Sequence, residues 1–206
     1  MQMINLFVNH YQCGDKIRQK ELDYCFKANE INPLIDRIIN FPNRITYNDF
    51  FKETLSYPND INILANTDIY FNETIEKVNE IRENECYAIT RSELKGDEVV
   101  TFDEMHIYNK EAKAKHSQDV WIFRGSVKNV IANFHLGVPG CDNRVAFEIG
   151  KSYKLKNPCY SIQCVHKHKE EARNYNIPEG YGQRISMPYR FVEPDGETKQ
   201  HFRVRI

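Results

Sequence analysis

The chain has 206 residues, 28 of them lysine or arginine against 29 aspartate or glutamate, for a net charge of −1. That balance argues against a general nucleic-acid-binding surface, though not against a nucleotide ligand, and the length suits one substantial core rather than two. No apolar run approaches the roughly 18 residues of a membrane-spanning helix.

Met1–Asn9 is apolar without a basic leader or a cleavage site, so it is expected to be a strand and not a signal peptide. Ile4–Val8 reads as the first strand, followed by the polar turn Asn9-His10-Tyr11-Gln12-Cys13-Gly14-Asp15. Arg18–Asn29 carries Leu22, Cys25 and Phe26 at helical spacing, and Pro33 limits it. Ile35–Phe41 is a second strand. Asn43–Lys52 fits either a short strand or a helix start. Ile61, Ile63, Leu64 and Ala65 form an apolar run of the kind a strand covered on both faces requires. Asn72–Glu83 is expected to be a helix with Ile75, Val78 and Ile81 on one side. Cys86–Thr90 and Val120–Phe123 are strands. The polar stretch Arg91–His116 between them is expected to be mostly loop, with a strand pair around Val99-Val100 and His106-Ile107. Ser126–Phe134 and Asp142–Tyr153 read as helices, separated by Gly137-Val138-Pro139-Gly140, and Ile162–Val165 reads as a strand. From Arg173 the chain is polar and loop-rich, with only Phe202–Ile206 extended.

Alternating strand and helix signals predict one α/β domain over 1–206 with a mostly parallel sheet and flanking helices. The six cysteines, Cys13, Cys25, Cys86, Cys141, Cys159 and Cys164, include no Cys-x-x-Cys pair. They are expected to be free thiols of a soluble, cytoplasmic protein.

Four polar islands carry the chemical argument. Asn66-Thr67-Asp68 follows the apolar strand, where open α/β sheets bind ligands. Asp68 is placed either to hold a divalent cation or to cap the next helix. In Pro139-Gly140-Cys141-Asp142-Asn143-Arg144 the turn sets Asp142 at a helix start, either as a plain cap or as a general base. There the helix dipole would hold its pKa down and leave a modest base, unless burial offsets the dipole. His166 and His168 share one side if the segment is a strand, or only one points inward if it turns, and they are either metal ligands or solvated. In Ser117-Gln118-Asp119-Val120-Trp121, Asp119 and Trp121 are either a sugar-binding pair or a strand start and a core ring.

The order of these islands resembles the nucleotide-sugar glycosyltransferases of the GT-A fold, over roughly residues 4–170. The matching residues are Asn66-Thr67-Asp68, then Gly140-Cys141-Asp142, then His166. The resemblance implies a small single-domain, Rossmann-like enzyme, like the stand-alone domains of this kind, some of them viral. It would transfer a sugar from a UDP-sugar or similar donor to a glycan or other hydroxyl acceptor, with Mn²⁺ or Mg²⁺. It implies metal binding by Asp68 with His166 or His168, and Asp142 as the base of an inverting displacement. Donor contacts are expected from Asn9, His10, Tyr11, Arg18, Asn66, Thr67, Arg91, Asp119 and Trp121, with Arg18 and Arg91 on the diphosphate or else simply solvated. Asn66 stands where the motif carries its first aspartate, which removes one negative charge from the site. A nucleotidyltransferase or a non-catalytic sugar- or nucleotide-binding module are the alternative expectations.

Overall fold

The computed structural model describes residues 2–109, 113–168 and 184–194. In chain order it forms β1 (Ile4–Val8), α1 (Lys16–Glu30), β2 (Arg37–Asn40), α2 (Tyr47–Glu53), β3 (Ile61–Ala65), β4 (Ile69–Phe71) and β5 (Glu85–Thr90). There follow β6 (Ser92–Lys95), β7 (Glu98–Val100), α3 (Phe102–Met105), β8 (Gln118–Arg124), α4 (Cys141–Ile149), β9 (Lys154–Lys156) and β10 (Cys164–His166). The expected extended segment Phe202–Ile206 lies outside the described residues, as does Arg173.

Six strands make the main sheet in the order β2-β1-β3-β8-β5-β9. The α/β class is as expected, but the orientation is mixed. β1 pairs in parallel with β2 and β3, and β5 with β9, whereas β8 runs antiparallel to both β3 and β5. The buried runs of β1, β3 and β8 explain their central places, since each has apolar side chains for two covered faces. Phe7, Leu64, Trp121 and Phe123 meet α2 and α4 on one face. Leu6, Ile63, Ile122 and Ile89 meet β4 and the segment after it on the other.

Ile75, Val78 and Ile81 do share a buried face, but Glu73–Glu80 winds as 3₁₀ turns, not as the expected α-helix. Apolar positions three residues apart are the 3₁₀ period, so all three reach the core in the tighter winding. Asn72 caps it through Thr74 N–H. Thr46 and Asp49 settle the undecided segment as α2 by a reciprocal capping box.

Ser126–Phe134 is not the expected helix. Gly125 and Asn129 have φ of 75° and 58°, which break its entry. The carbonyls of Ala132 and Phe134 accept the N–H groups of Asn48 and Tyr47, first-turn donors of α2 with no partner inside that helix. Val99-Val100 pairs with β6 rather than with His106-Ile107, and Thr101 then opens α3 with a second capping box.

A second sheet, β4-β10-β6-β7, stands at the end of the first. Its register puts His166 opposite Ile69 on one side and opposite Glu93 on the other. The loops after β1, β2, β3 and β5 and the start of β8 all open towards it, because β8 alone is reversed.

Candidate active site

At that edge lies a cleft of about 890 Å³. Asn9 and Tyr11 line it from the loop after β1, Arg18 from α1, and Asn66, Thr67 and Asp68 from the turn after β3. Arg91, Asp119, His166 and His168 complete its polar wall. A smaller hollow of about 510 Å³ at the opposite edge carries one carboxylate, Glu83, and no histidine among its lining residues.

Asp68 sits at the centre of the polar wall. It does not cap a helix, because β4 follows it directly. Its Oδ2 accepts from Arg18 Nη2 at 2.5 Å and faces His166 Nε2 at 3.1 Å. Lys167 N–H donates to its carbonyl, which fixes the end of β10, with His166 in the strand and His168 two residues past it, to the turn. Glu93 Oε2 lies 3.0 Å from His166 Nδ1, and Arg91 Nε donates to Glu93 Oε1 at 2.6 Å. Arg91 also donates to Asp119 at 3.0 Å, while Arg18 reaches Glu21 at 3.0 Å. Charges thus alternate without a gap from Asp119 through Arg91, Glu93, His166, Asp68 and Arg18 to Glu21. Charge-assisted bonds of this kind in partial burial hold long side chains in one geometry.

The pKa values follow from this arrangement. Burial opposes charge on Asp68, but the hydrogen bond and charge of His166 and those of Arg18 outweigh it and hold the carboxyl well below its usual range. Burial likewise opposes a charged His166, yet Asp68 and Glu93 raise it to about 9. Glu93 is lowered to about 2 against its burial by His166 and Arg91. His168 is shifted down by burial and by the charges of Arg18 and His166.

The Asn66 amide donates to Asp119 Oδ1 at 2.7 Å, which gives a reason for the departure from an aspartate at position 66. A carboxylate there would face a second carboxylate in hydrogen-bond contact. Thr67 Oγ1 donates to Asn9 carbonyl, and Asn9 Nδ2 in turn holds the carbonyls of Phe41 and Asn43, so these residues fix the cleft loops to one another. Arg91 is not a solvated charge, since Glu93 and Asp119 flank it.

Three expected contacts fall elsewhere. Trp121 is 2 % exposed and packs edge-on against Tyr47, as a core ring rather than a wall for a sugar. Its place in the middle of β8, between Val120 and Ile122, turns it to the α2 face. His10 turns away from the cleft to bind Asp23 at 2.8 Å, with its ring against Phe26 of α1. Asp142 is not among the cleft-lining residues. It occupies the first turn of α4, where Gly140 at φ 81° takes the cap position, so Asp142 is not a plain cap. Burial and the nearby charge of Asp119 raise its carboxyl to about 7 against the pull of the Asn143 backbone N–H. The expectation that the helix dipole would lower it is therefore reversed. At this position loss of water outweighs the dipole.

Glu93 was not singled out by the sequence patterns. Its signal is an acid two residues after Arg91 in a polar stretch, which carries meaning only once β6 is known to lie beside His166.

One carboxylate oxygen of Asp68 and one ring nitrogen each from His166 and His168 lie within 4.8 Å of one another. An oxygen and two imidazoles suit a manganese- or zinc-like ion. Glu93 lies at Nδ1 of His166, as the carboxylate partner of a metal-binding histidine does, while the other nitrogen faces Asp68 Oδ2. These three side chains could hold a divalent cation in place of the Arg18 guanidinium and of the His166 proton that now face Asp68. What the fold and site define is a mixed α/β domain with an ionic cleft at one sheet edge. No protein-family model, curated protein or solved structure matches the chain.

Proposed function

We propose that the protein is a GT-A-like glycosyltransferase that moves a sugar from a nucleotide-sugar donor, such as a UDP-sugar, to an acceptor hydroxyl. The observation that carries the reading is the meeting of Asp68, His166 and His168 in one cleft beyond the carboxyl ends of β1, β3 and β5. Open α/β sheets bind their ligands at that place.

Asp68, His166 and His168 would hold Mn²⁺ or Mg²⁺, with Glu93 orienting His166. The ion would supply positive charge against the charge that develops on the departing diphosphate. Asn9 and Tyr11 are at hand for the base and ribose, and Arg18 for phosphate oxygens. In the transfer the acceptor oxygen forms a bond to the anomeric carbon. The bond from that carbon to the diphosphate breaks, its electron pair leaving with the diphosphate oxygen. Asp142 does not line the cleft, so it would take the acceptor proton only from a hydroxyl that reaches it past Pro139, where a pKa of about 7 suits a base acting near neutrality. The acceptor then enters over the Pro139–Asp142 turn, and displacement from that side inverts the sugar.

Product analysis tests this reading. Incubation with UDP-, GDP- and dTDP-sugars and Mn²⁺ is expected to release a free nucleoside diphosphate from at least one donor. Release of pyrophosphate from nucleoside triphosphates instead would make the protein a nucleotidyltransferase. No turnover of any donor, with or without simple sugar acceptors, would leave a binding module.

A further inference from the structure

In the metal reading of the cleft Arg18 stands in the way of the ion, and the inference drawn from it rests on that reading. Arg18 Nη2 is 2.5 Å from Asp68 Oδ2, the oxygen that also faces His166. Its Nη1 is 2.7 Å from His168 Nδ1. One guanidinium thus engages two of the three side chains that would bind the cation. At His168 it takes the lone pair of Nδ1, and at Asp68 it takes Oδ2, one of the two carboxylate oxygens. A divalent ion bonds to such atoms at about 2.0–2.2 Å, so ion and guanidinium cannot hold them together. Both are positive, and at this separation in a half-buried site they repel.

We propose that Arg18 is an internal competitor for the cation position. In the donor-free protein it neutralises Asp68 and satisfies His168. A divalent ion seats only when the guanidinium turns out into the cleft. Arg18 lines that cleft from the first turn of α1. The turned-out guanidinium meets phosphate oxygens there, a partner whose planar, bidentate geometry suits it. The ion therefore binds weakly alone and well when it arrives with a nucleoside diphosphate. The ionic wall is thereby kept satisfied between turnovers, and donor and metal load together.

Calorimetric titration of Mn²⁺ into nucleotide-free protein tests the competition directly, using wild type, Arg18→Gln, Arg18→Lys and Asp68→Ala. Arg18→Gln is expected to bind Mn²⁺ roughly tenfold more tightly than wild type, because Asp68 has lost a close counter-ion. Arg18→Lys keeps the charge but cannot bridge Asp68 and His168 with a planar fork, and is expected to fall between them. Asp68→Ala is expected not to bind. Added guanidinium at low millimolar concentration is expected to weaken Mn²⁺ binding by Arg18→Gln towards the wild-type value. A merely structural role for Arg18 would not produce that rescue. If Arg18→Gln does not fold, the lysine variant decides. Tighter binding than wild type supports the competition, and equal or weaker binding overturns it. Equal affinity in wild type and Arg18→Gln overturns the competition while leaving the metal site standing. Absence of Mn²⁺ binding in every protein, with and without UDP, overturns the metal reading and the competition with it.

Discussion

Replacing Asp142 with asparagine removes a charge that the fold holds at a cost, and the size of that cost follows from its surroundings. The carboxyl ordinarily titrates at 3.8 and is raised to about 7 by burial and by Asp119. At about 1.4 kcal/mol for each tenfold change in proton affinity, an ionised Asp142 destabilises the native state by about 4 kcal/mol. The folded carboxyl binds its proton more tightly than the unfolded one. Its contribution is therefore full below the unfolded pKa and is lost as pH rises to about 7, beyond which it is constant. About 2.5 kcal/mol of that loss falls between pH 5 and pH 8. Asparagine has nearly the same shape and does not titrate. Asp142→Asn should therefore be stabilised relative to wild type, by more at pH 8 than at pH 5, and the two differences should themselves differ by roughly 5–10 °C in melting temperature. Thermal or urea melts of both proteins at the two pH values measure this, since other titrating groups cancel in the difference. Stability profiles that run parallel with pH would refute the reasoning. They would mean that water reaches Asp142 and that its pKa is ordinary.

Other consequences of the structure can be checked in the same way. Glu93→Gln keeps an acceptor for Arg91 but removes the charge behind His166, and Mn²⁺ affinity should fall by roughly 10- to 100-fold; an unchanged titration would remove Glu93 from the site. Trp121→Ala should cost about 3–5 kcal/mol in a melt, as a large core truncation does. A loss under about 1 kcal/mol would point instead to a ring that nothing packs against. Asn66→Asp sets a second carboxylate against Asp119, so it should destabilise the protein by about 1–3 kcal/mol at pH 8 and by less at pH 4. Equal losses at both pH values would show that the two side chains do not meet.

The α/β class and the central strands were legible because they rest on local patterns. Apolar runs of strand length at Ile4–Val8, Ile61–Ala65 and Val120–Phe123 found β1, β3 and β8 within a residue or two. The polar residues that follow β1, β3 and β5 do line one cleft. What failed needed information from distant residues. Val127, Val130, Ile131 and Phe134 have helical spacing, yet the backbone there is committed to the start of α2, and Ile131 is left 76 % exposed. The direction of β8 could not be read from its own composition, because a strand buried on both faces carries no sign of orientation. Glu93 and the Arg18–Asp68 contact were hidden for a related reason. Asp68 and Arg18 are 50 residues apart, and the packing of α1 against β4 brings them together. At Asp142 the local signal, a carboxylate at a helix start, pointed to a lowered pKa, and burial reversed it.

The central claim is that the cleft around Asp68 takes a nucleotide sugar together with a divalent ion. Thermal melts with UDP-, GDP- and dTDP-sugars, each with and without Mn²⁺, test it most directly, since a ligand that binds only the native state raises the melting temperature. The account predicts that at least one donor stabilises the wild-type protein, more so with Mn²⁺ than without, and that Asp68→Ala abolishes the Mn²⁺-dependent part. A melting temperature that no donor moves under either condition would contradict it.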